Sequence, residues 1–313
     1  MRLALAGDTM LGRMVGEALA EAPPESLVAE DVAALTREAD LFVLNLECCI
    51  AEQGYPRPKV FTFRAPPPAL DLLVHLGVDC VTLANNHALD YGPEALLETL
   101  DRLHAAEIAA VGAGATVAEA RRAAVLEAEG FRLAVLGASD HPEDFAAGPE
   151  RVGIAHADFE NGAPAWLTDA VGTAVADGVL VTPHWGPNMT PGPLPYVRTA
   201  ARELQAAGAT LVAGHSAHVF HGIAPGILFD LGDFLDDYAV DRTLRNDLGL
   251  LFLVSLGEGG VEAIEAVPLK LEYCFTRIAR GEDARWIRRR LAQACAELGT
   301  TVEAEKDGRL VVR

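Results

Sequence analysis

Ligand-type side chains recur where predicted strands end. Val78–Thr82 is a short apolar run that predicts a buried strand, and it leads into Asn85, Asn86 and His87. A helix is predicted directly after this cluster, with Pro93 in its first turn. One interpretation is a polar strand-to-helix turn. The other is a metal site, because buried amides and imidazoles need partners and an ion supplies one.

The same pattern repeats at other predicted strand ends, which favours the metal site. A single histidine is more often structural than a ligand, but this explanation is weak when several strand ends share the pattern. Functional groups gather at the carboxyl ends of strands in open α/β sheets. Carboxylate, amide and imidazole groups together suit Zn²⁺, Mn²⁺ or iron rather than Ca²⁺ or Mg²⁺ alone. The additional residues are Asp8, Glu47, His184, His215 and His218.

Strands and helices that alternate along most of the chain must position these side chains. Leu3–Ala6 and Leu41–Glu47 predict buried strands, and Val60–Arg64 alternates like a further strand. Ala123–Glu129 and Phe131–Leu136 predict a hairpin. The order of these elements predicts an α/β fold of layered, mixed sheets.

The length of the chain allows one large domain with an appendage. We predict a main domain over residues 1–275 and a C-terminal appendage over residues 276–313. The appendage contains a predicted amphipathic helix, Asp283–Leu298, and a hairpin turn at Lys306–Arg309. No repeat, low-complexity run or clear linker occurs in the sequence.

The composition excludes several functional classes. Half of the residues are hydrophobic, and the formal net charge of −20 argues against a nucleic-acid partner and against binding to anionic membranes. The five cysteines lack the spacing of a disulfide framework, which fits a reducing compartment. No apolar run has the length of a signal or membrane-spanning segment. We therefore predict a cytoplasmic protein and make no prediction of its oligomeric state.

Several short motifs occur in an order typical of one known family. They include Gly7-Asp8-Thr9-Met10, Asn45-Leu46-Glu47, Asn85-Asn86-His87, His184-Trp185-Gly186 and Gly214-His215-Ser216-Ala217-His218. In these motifs the chain resembles the CapA family, named for poly-γ-glutamate capsule synthesis, within the calcineurin-like metallophosphoesterase superfamily. The similarity covers about Arg2 to Phe234. It implies a metallophosphoesterase-like four-layer α/β/β/α sandwich with a metal pair at the loop ends of the sheets.

The resemblance also implies a role for each site residue. Glu47 is expected to bridge two divalent metal ions. Asn86, His184 and His215 are expected to complete the first metal site. Asp8 and His218 are expected to complete the second. His87 is expected beside the substrate, where it stabilises an oxyanion or protonates the leaving group. Asp90 either orients His87 or caps the following helix.

The implied chemistry is an attack by a metal-bound hydroxide. Two ions lower the pKa of a shared water and clamp the oxygens of an in-line displacement at a phosphoester or, less commonly, a carbonyl. A small anionic substrate, phosphoester or carboxylate, needs local cations, and Lys59 and Arg64 are the candidates. A solvated strand face is the alternative interpretation of these two residues. His221 is a further candidate for lining the substrate pocket.

The chain departs from the superfamily pattern at its metal ligands. Met10 stands where the superfamily carries the His of an Asp-x-His motif, which removes one nitrogen ligand. His215 and His218 are three residues apart, whereas calcineurin-like proteins usually have Gly-His-x-His. Asp233 stands where the family tends to carry Asn and adds a carboxylate. We therefore predict one or two bound ions.

Three functions follow as expectations. The principal one is a metal-dependent hydrolase, in particular a phosphoesterase acting on a small anionic substrate. The first alternative is an accessory protein of poly-γ-glutamate or capsule biosynthesis that binds the polymer. The second alternative is hydrolysis of γ-glutamyl amide bonds, because a metal-bound hydroxide also attacks carbonyls.

Overall fold

The computed structural model describes all 313 residues. Helices α1 to α8 are Arg13–Glu21, Glu30–Arg37, Ala69–His75, Pro93–Ala105, Val117–Ala120, Ala165–Thr173, Pro195–Ala206 and Gly281–Ala296. Strands β1 to β10 are Arg2–Thr9, Leu41–Leu46, Cys49–Ile50, Arg64–Ala65, Cys80–Thr82, Ala109–Val111, Ala113–Gly114, Ala124–Ala128, Phe131–Ser139 and Gly153–Ile154. Strands β11 to β20 are Gly178–His184, Leu211–Ala213, Ile223–Ala224, Ile227–Leu228, Asp233–Leu235, Leu248–Gly257, Gly260–Glu272, Phe275–Ile278, Val302–Ala304 and Leu310–Val312.

Two large sheets form the core of the protein. The first has ten strands in the order β19-β20-β17-β16-β1-β2-β5-β6, with β15 beside β1 and β18 beside β17. Its strands β1, β2, β5 and β6 are parallel, whereas β16 and β17 are antiparallel. The second sheet has six strands in the order β13-β14-β12-β11-β9-β8. In the second sheet β11 is parallel to β9 and β12, whereas β8 is antiparallel to β9, so both sheets are mixed.

Three apolar clusters hold the sheets and helices together. Because successive side chains of a strand point to opposite faces, β1 directs Leu3 and Leu5 into a cluster that both sheets share. The same alternation directs Ala4 and Ala6 into a second cluster with helices α1 to α4. A third cluster joins α6 and α7 to the other face of the six-stranded sheet. The predicted α/β class with mixed sheets is confirmed.

The prediction of a strand over Val60–Arg64 is wrong for most of its length. Only Arg64–Ala65 forms a strand, which pairs with β3. Val60 is 90% exposed, and the backbone N–H of Phe63 donates to Asp90 Oδ2 at 2.8 Å instead of to a neighbouring strand. Alternation produces a strand only where another strand edge receives its backbone hydrogen bonds.

The C-terminal segment contacts the main sheets. Strands β18 and β20 pair with β17, and β19 pairs with β20. Ile287, Leu291 and Cys295 of α8 are buried in the cluster that both sheets share. The helix and the hairpin predicted here are both present, and the domain division at residue 275 stays a prediction.

Replacing Leu291 with Ala tests how firmly this segment belongs to the core. Leu291 is fully buried, so the substitution should lower the free energy of unfolding by about 2–5 kcal/mol. Denaturant unfolding followed by circular dichroism measures the change, with the exposed Gln293→Ala as the control. A separate, early transition that reports only residues 276–313 would show instead that the segment is an independent unit.

Candidate metal centre

The predicted ligands meet where the parallel strands of both sheets end. Asp8 lies near the end of β1 and is in register with Asn45 of β2 on one side and Asp233 of β15 on the other. In the second sheet, His184 ends β11 and forms an isolated bridge with His215, which follows β12. The two sheets face each other, so these strand ends converge on one buried region.

Two groups of side chains have the spacing of metal ligands. Asp8, His184 and His215 form the first group, and Asp8, Glu47 and His218 form the second. Within each group the potential ligand atoms lie within 4.8 Å of one another, and all five residues are buried. Asp8 belongs to both groups, whereas the resemblance gave the bridging position to Glu47. The individual ligand roles stay predictions.

Several buried polar atoms at this site have no hydrogen-bond partner. They are both carboxylate oxygens of Glu47, Oδ1 of Asn86, Nε2 of His184 and Oδ2 of Asp233. A buried polar atom without a partner is destabilising, and a buried carboxylate without one is more so. Oxygen and imidazole nitrogen donors are the ligands that Zn²⁺, Mn²⁺ and iron accept. The residues present therefore fit a transition-metal ion.

A chain of amide side chains orients Asp8. Asn45 donates to Asp8 Oδ1 at 2.7 Å, and Asn85 donates to Asn45 Oδ1 at 2.9 Å. The Asn85 side-chain oxygen in turn accepts the backbone N–H of His87 at 3.0 Å. Sequence reasoning did not give a role to Asn45 or Asn85. Their position inside the strand-end motifs was the available signal.

The loop that carries His218 is held in an unusual conformation. Ser216 and His218 have φ angles of 121° and 59°, a region that non-glycine residues seldom adopt. The buried Asp230 carboxylate accepts the backbone N–H of Ala217 at 2.8 Å, and the Ser216 N–H donates to Asp8 Oδ2 at 3.2 Å. Asp230 is a further functional candidate that sequence reasoning missed, because nothing in its local sequence reveals these contacts.

Three carboxylates surround the imidazole of His218. Its Nδ1 lies 2.8 Å from Asp233, 3.2 Å from Asp8 and 3.9 Å from Glu47. Burial lowers the pKa of His218, but the carboxylates, led by Asp233, outweigh burial and raise it well above its usual range. Burial, reinforced by the charge of Asp8, raises the pKa of Glu47. Burial lowers the pKa of His215 to about 4.

His87 and Asp90 form a closely bonded pair beside Glu47. His87 Nδ1 lies 2.5 Å from Asp90 Oδ2, and His87 Nε2 lies 3.8 Å from Glu47 Oε1. Asp90 also accepts hydrogen bonds from Lys59 and from the Phe63 backbone, whereas no side chain caps helix α4. Of the two roles considered for Asp90, the structure shows the contact with His87. The catalytic role of the pair stays a prediction.

Two cavities adjoin the ligand cluster. The acidic cavity, lined by Asp140, Glu143, Asp158 and Glu160, has a volume of about 670 Å³ and also reaches Asn86. The aromatic cavity has a volume of about 460 Å³. The side chains that define it are Phe61, Phe63, Tyr238, His87 and His218.

The three predicted substrate-binding residues lie outside both cavities. Lys59 pairs with Asp90 at 2.6 Å and donates to the Asn86 carbonyl. Arg64 lies over the Tyr91 ring, with 4.4 Å between guanidinium carbon and ring centroid. His221 is buried, with its Nε2 at 2.9 Å from the Thr190 carbonyl oxygen. Substrate binding by Lys59, Arg64 and His221 stays a prediction.

Comparison with known proteins gives the family. The family described as bacterial capsule synthesis protein PGA_cap matches residues 2–238, which include every predicted site residue. The chain belongs to this family. The family, which includes the proteins named CapA, lies within the metallophosphoesterase-like superfamily, so the resemblance seen in the motifs is confirmed.

Several relatives of this PGA_cap chain carry names from polymer synthesis. A probable polyglutamine synthesis accessory protein of Mycobacterium tuberculosis is 30% identical over 305 residues, covering 87% of this chain and 77% of the relative. The PGA biosynthesis protein CapA of Bacillus subtilis is 29% identical over 264 residues, covering 82% and 68%. The capsule biosynthesis protein CapA of Bacillus anthracis is 27% identical over 290 residues, covering 87% and 68%.

One solved structure supports the fold. The crystal structure of a hypothetical protein from Thermus thermophilus superposes with a TM-score of 0.51 at 17% identity, covering 86% of this chain and 99% of that chain. At this identity the likeness concerns the fold alone. None of the helices combines the length and the apolar character needed to cross a bilayer.

Replacing Asn45 with Ala should weaken metal binding by about 10–100-fold, because it removes the donor that orients Asp8. Calorimetric titration with Mn²⁺ measures the affinity. The matched control is Gln53→Ala, which removes an exposed side-chain amide that forms no hydrogen bond with a candidate ligand. Unchanged affinity in the Asn45 variant would show that the hydrogen bond from Asn45 to Asp8 does not contribute to metal binding.

Metal affinity should fall as the pH falls. In the metal-free protein the raised pKa values of Glu47 and His218 keep protons on groups that bind metal only without them. Each proton displaced by the ion should make the affinity drop roughly tenfold per pH unit. Mn²⁺ titrations in buffers of different ionisation enthalpy count the released protons. Asp233→Asn should lower this count, and an affinity independent of pH would contradict the prediction.

Proposed function

We propose that this chain is an accessory protein of poly-γ-glutamate synthesis, and that its strand-end cluster is a divalent-metal site through which it acts on the polymer. The family match over residues 2–238 and the names of the relatives support the biological role. The observation that carries the metal site is the set of buried ligand atoms without hydrogen-bond partners. The cytoplasmic location, the absence of nucleic-acid and membrane partners, and the anionic nature of the substrate remain proposals.

We further propose that the core is the four-layer α/β/β/α sandwich implied by the resemblance. The three apolar clusters support it, because they would lie between the first helical layer, the two sheets and the second helical layer. In this arrangement the shared cluster ends at the metal site, since β1 and β2 of one sheet and β11 and β12 of the other point to the same edge.

The residues proposed to hold one or two ions are Asp8, Glu47, Asn86, His184, His215 and His218. A bound Mn²⁺, Zn²⁺ or iron ion would supply Lewis-acid polarisation of a phosphoryl or carbonyl oxygen. Asp233 would assist by keeping His218 oriented through its 2.8 Å contact. Asn45 and Asn85 would fix the direction of the Asp8 carboxylate.

The hydrogen bonds of His87 define what it can do to a substrate. Asp90 already accepts from Lys59 and from the Phe63 N–H, so it acts as a carboxylate and His87 Nδ1 is the donor of their shared hydrogen bond. A neutral His87 then has its free lone pair on Nε2, and burial lowers its pKa to about 4. His87 is therefore suited to accept a proton from a nucleophile or to orient it, rather than to protonate a leaving group.

The aromatic cavity is the proposed entrance for substrate. His87 and His218 both line it, whereas four carboxylates line the acidic cavity and repel an anion. Phe63 packs against the His87 ring with 4.1 Å between ring centroids. An anionic polymer would therefore reach the metal ligands past the aromatic side chains.

The second candidate function is hydrolysis at this site. The unpartnered ligand atoms and the His87–Asp90 pair favour it, because simple polymer binding requires neither. The substrate would be either a γ-glutamyl amide bond of the polymer or a phosphoester. With either substrate, a bound ion would supply Lewis-acid polarisation, and His87 would orient or deprotonate the nucleophile.

One experiment separates these functions. Purified protein is incubated with poly-γ-glutamate, with and without Mn²⁺, and both polymer binding and polymer length are measured. A generic aryl phosphate provides a parallel test of phosphoester hydrolysis. The proposal predicts that the wild type binds the polymer. If the site is catalytic, polymer or phosphate ester is also cleaved only with metal, and the double variant His184→Ala, His215→Ala loses at least about 10²-fold of that activity.

The exposed Lys306→Ala is the control and should match the wild type in both measurements. Binding that persists in the double variant without any cleavage would favour the binding role alone. A wild type that neither binds the polymer nor changes it would overturn the proposed function.

A further inference from the structure

Helix α8 carries a concentration of arginines that form almost no ion pairs within this acidic protein; Arg290 donates to the Pro191 carbonyl at 3.3 Å. Arg285, Arg288, Arg289 and Arg290 lie within six consecutive residues. The chain has 45 acidic and 25 basic residues, yet Arg288, Arg289 and Arg290 form no ion pair. Arg285 has only a 3.9 Å contact with Glu282. In a protein with a net charge of −20, this local excess of positive charge is available to a negatively charged partner.

Two cavities flank this arginine face, which we define as Arg285, Arg288, Arg289 and Arg290. One cavity, of about 400 Å³, is lined by Arg290 together with Arg198 of α7, with Glu297 as its one acidic residue. The other, of about 350 Å³, is lined by Arg285 and Arg289 together with Arg245, and also by Glu282 and Asp283. Arg245 pairs with Asp247 and with Asp283, so Arg285 and Arg289 supply the positive charge of this cavity that is not paired at short distance. The face is therefore grooved on both sides, and other arginines contribute to each groove.

Aromatic rings hold the central guanidinium groups in place. Arg290 lies over Phe220 and over Trp286, each with 5.6 Å from guanidinium carbon to ring centroid. Arg245 lies 5.8 Å from the centroid of Trp286. The Arg290 Nε is buried and has no hydrogen-bond partner. A guanidinium that is stacked and ordered in advance loses less entropy when it binds a carboxylate.

Both flanking cavities lie next to the aromatic cavity of the proposed metal site. Met189 lines the aromatic cavity and Pro191 lines the cavity of Arg290, so about 7 Å of extended chain separates them. On the other side, Asn246 lines the aromatic cavity and the adjacent Arg245 lines the second arginine cavity. A long ligand could thus contact the arginine face and the metal site at the same time.

We propose that the arginine face is the binding track for the poly-γ-glutamate chain and leads it to the aromatic cavity. This inference rests on the proposed function. A γ-linked glutamate polymer carries one free α-carboxylate in each residue, and arginines spread along about 7.5 Å of helix fit such a repeating charge better than one compact anion. Several weak, exposed contacts then act together through the length of the polymer.

The test compares polymer binding by two charge-matched triple variants. The first is Arg285→Ala, Arg288→Ala, Arg289→Ala, which removes exposed members of the track. The second is Arg122→Ala, Arg151→Ala, Lys306→Ala, which removes three exposed positive charges elsewhere. Fluorescently end-labelled poly-γ-glutamate is titrated into each protein without added metal, at several salt concentrations. Mn²⁺ affinity and thermal unfolding of each variant show whether its site and fold are intact.

The track variant should bind the polymer at least about tenfold more weakly, with a smaller salt dependence, while its Mn²⁺ affinity stays at the wild-type value. The control variant should bind like the wild type. Wild-type binding by the track variant, or equal loss in both variants, would overturn the track but leave the proposed function standing. No binding by the wild type would overturn the proposed function itself. Tighter, arginine-dependent binding of RNA or of anionic vesicles would overturn the assignment to polyglutamate.

Discussion

The buried carboxylate of Asp8 is the point on which both halves of the protein depend. It comes from β1, in the middle of the ten-stranded sheet. It contacts His215 and His218, which follow β12 of the six-stranded sheet. The amide of Asn45 and the backbone N–H of Ser216 fix its two oxygens. A single carboxylate therefore links strands that pack through the shared apolar cluster, and any relative shift of the sheets would break these contacts.

This arrangement places more carboxyl groups in the interior than the protein itself supplies with partners. Asp8, Glu47, Asp230 and Asp233 are all buried, and burial raises the pKa of the last three. His218 supplies one compensating positive charge, and the hydrogen bonds to Asp230 supply partners for another carboxylate. The oxygens of Glu47 remain without partners, and a divalent cation is the simplest group that satisfies them. Metal binding and the stability of this region should therefore be linked.

Charge is also segregated on the surface around the centre. Carboxylates line the acidic cavity, aromatic side chains line the cavity that reaches His87 and His218, and arginines gather on α8 beyond it. The net charge of −20 repels an approaching anion, whereas the α8 arginines attract it. This distribution of charge supports the proposal that a strongly acidic chain binds an acidic polymer.

Local sequence determined the class of the fold and most members of the candidate site. Apolar runs that end in Asp8, Glu47, His184 or His215 indicated both the strands and the edge at which they meet, because strand periodicity and strand-end chemistry are local properties.

Only the tertiary structure decided the rest. It placed Asp8 in both ligand groups, paired Lys59 with Asp90, and brought in Asn45, Asp230 and the α8 arginines. These contacts join residues far apart in the chain, for example Asp8 with Ser216, and no local pattern records which distant partners two packed sheets bring together. The alternating apolar pattern over Val60–Phe63 gave a wrong strand prediction for the same reason, because a strand needs a neighbouring strand edge that only the folded chain supplies.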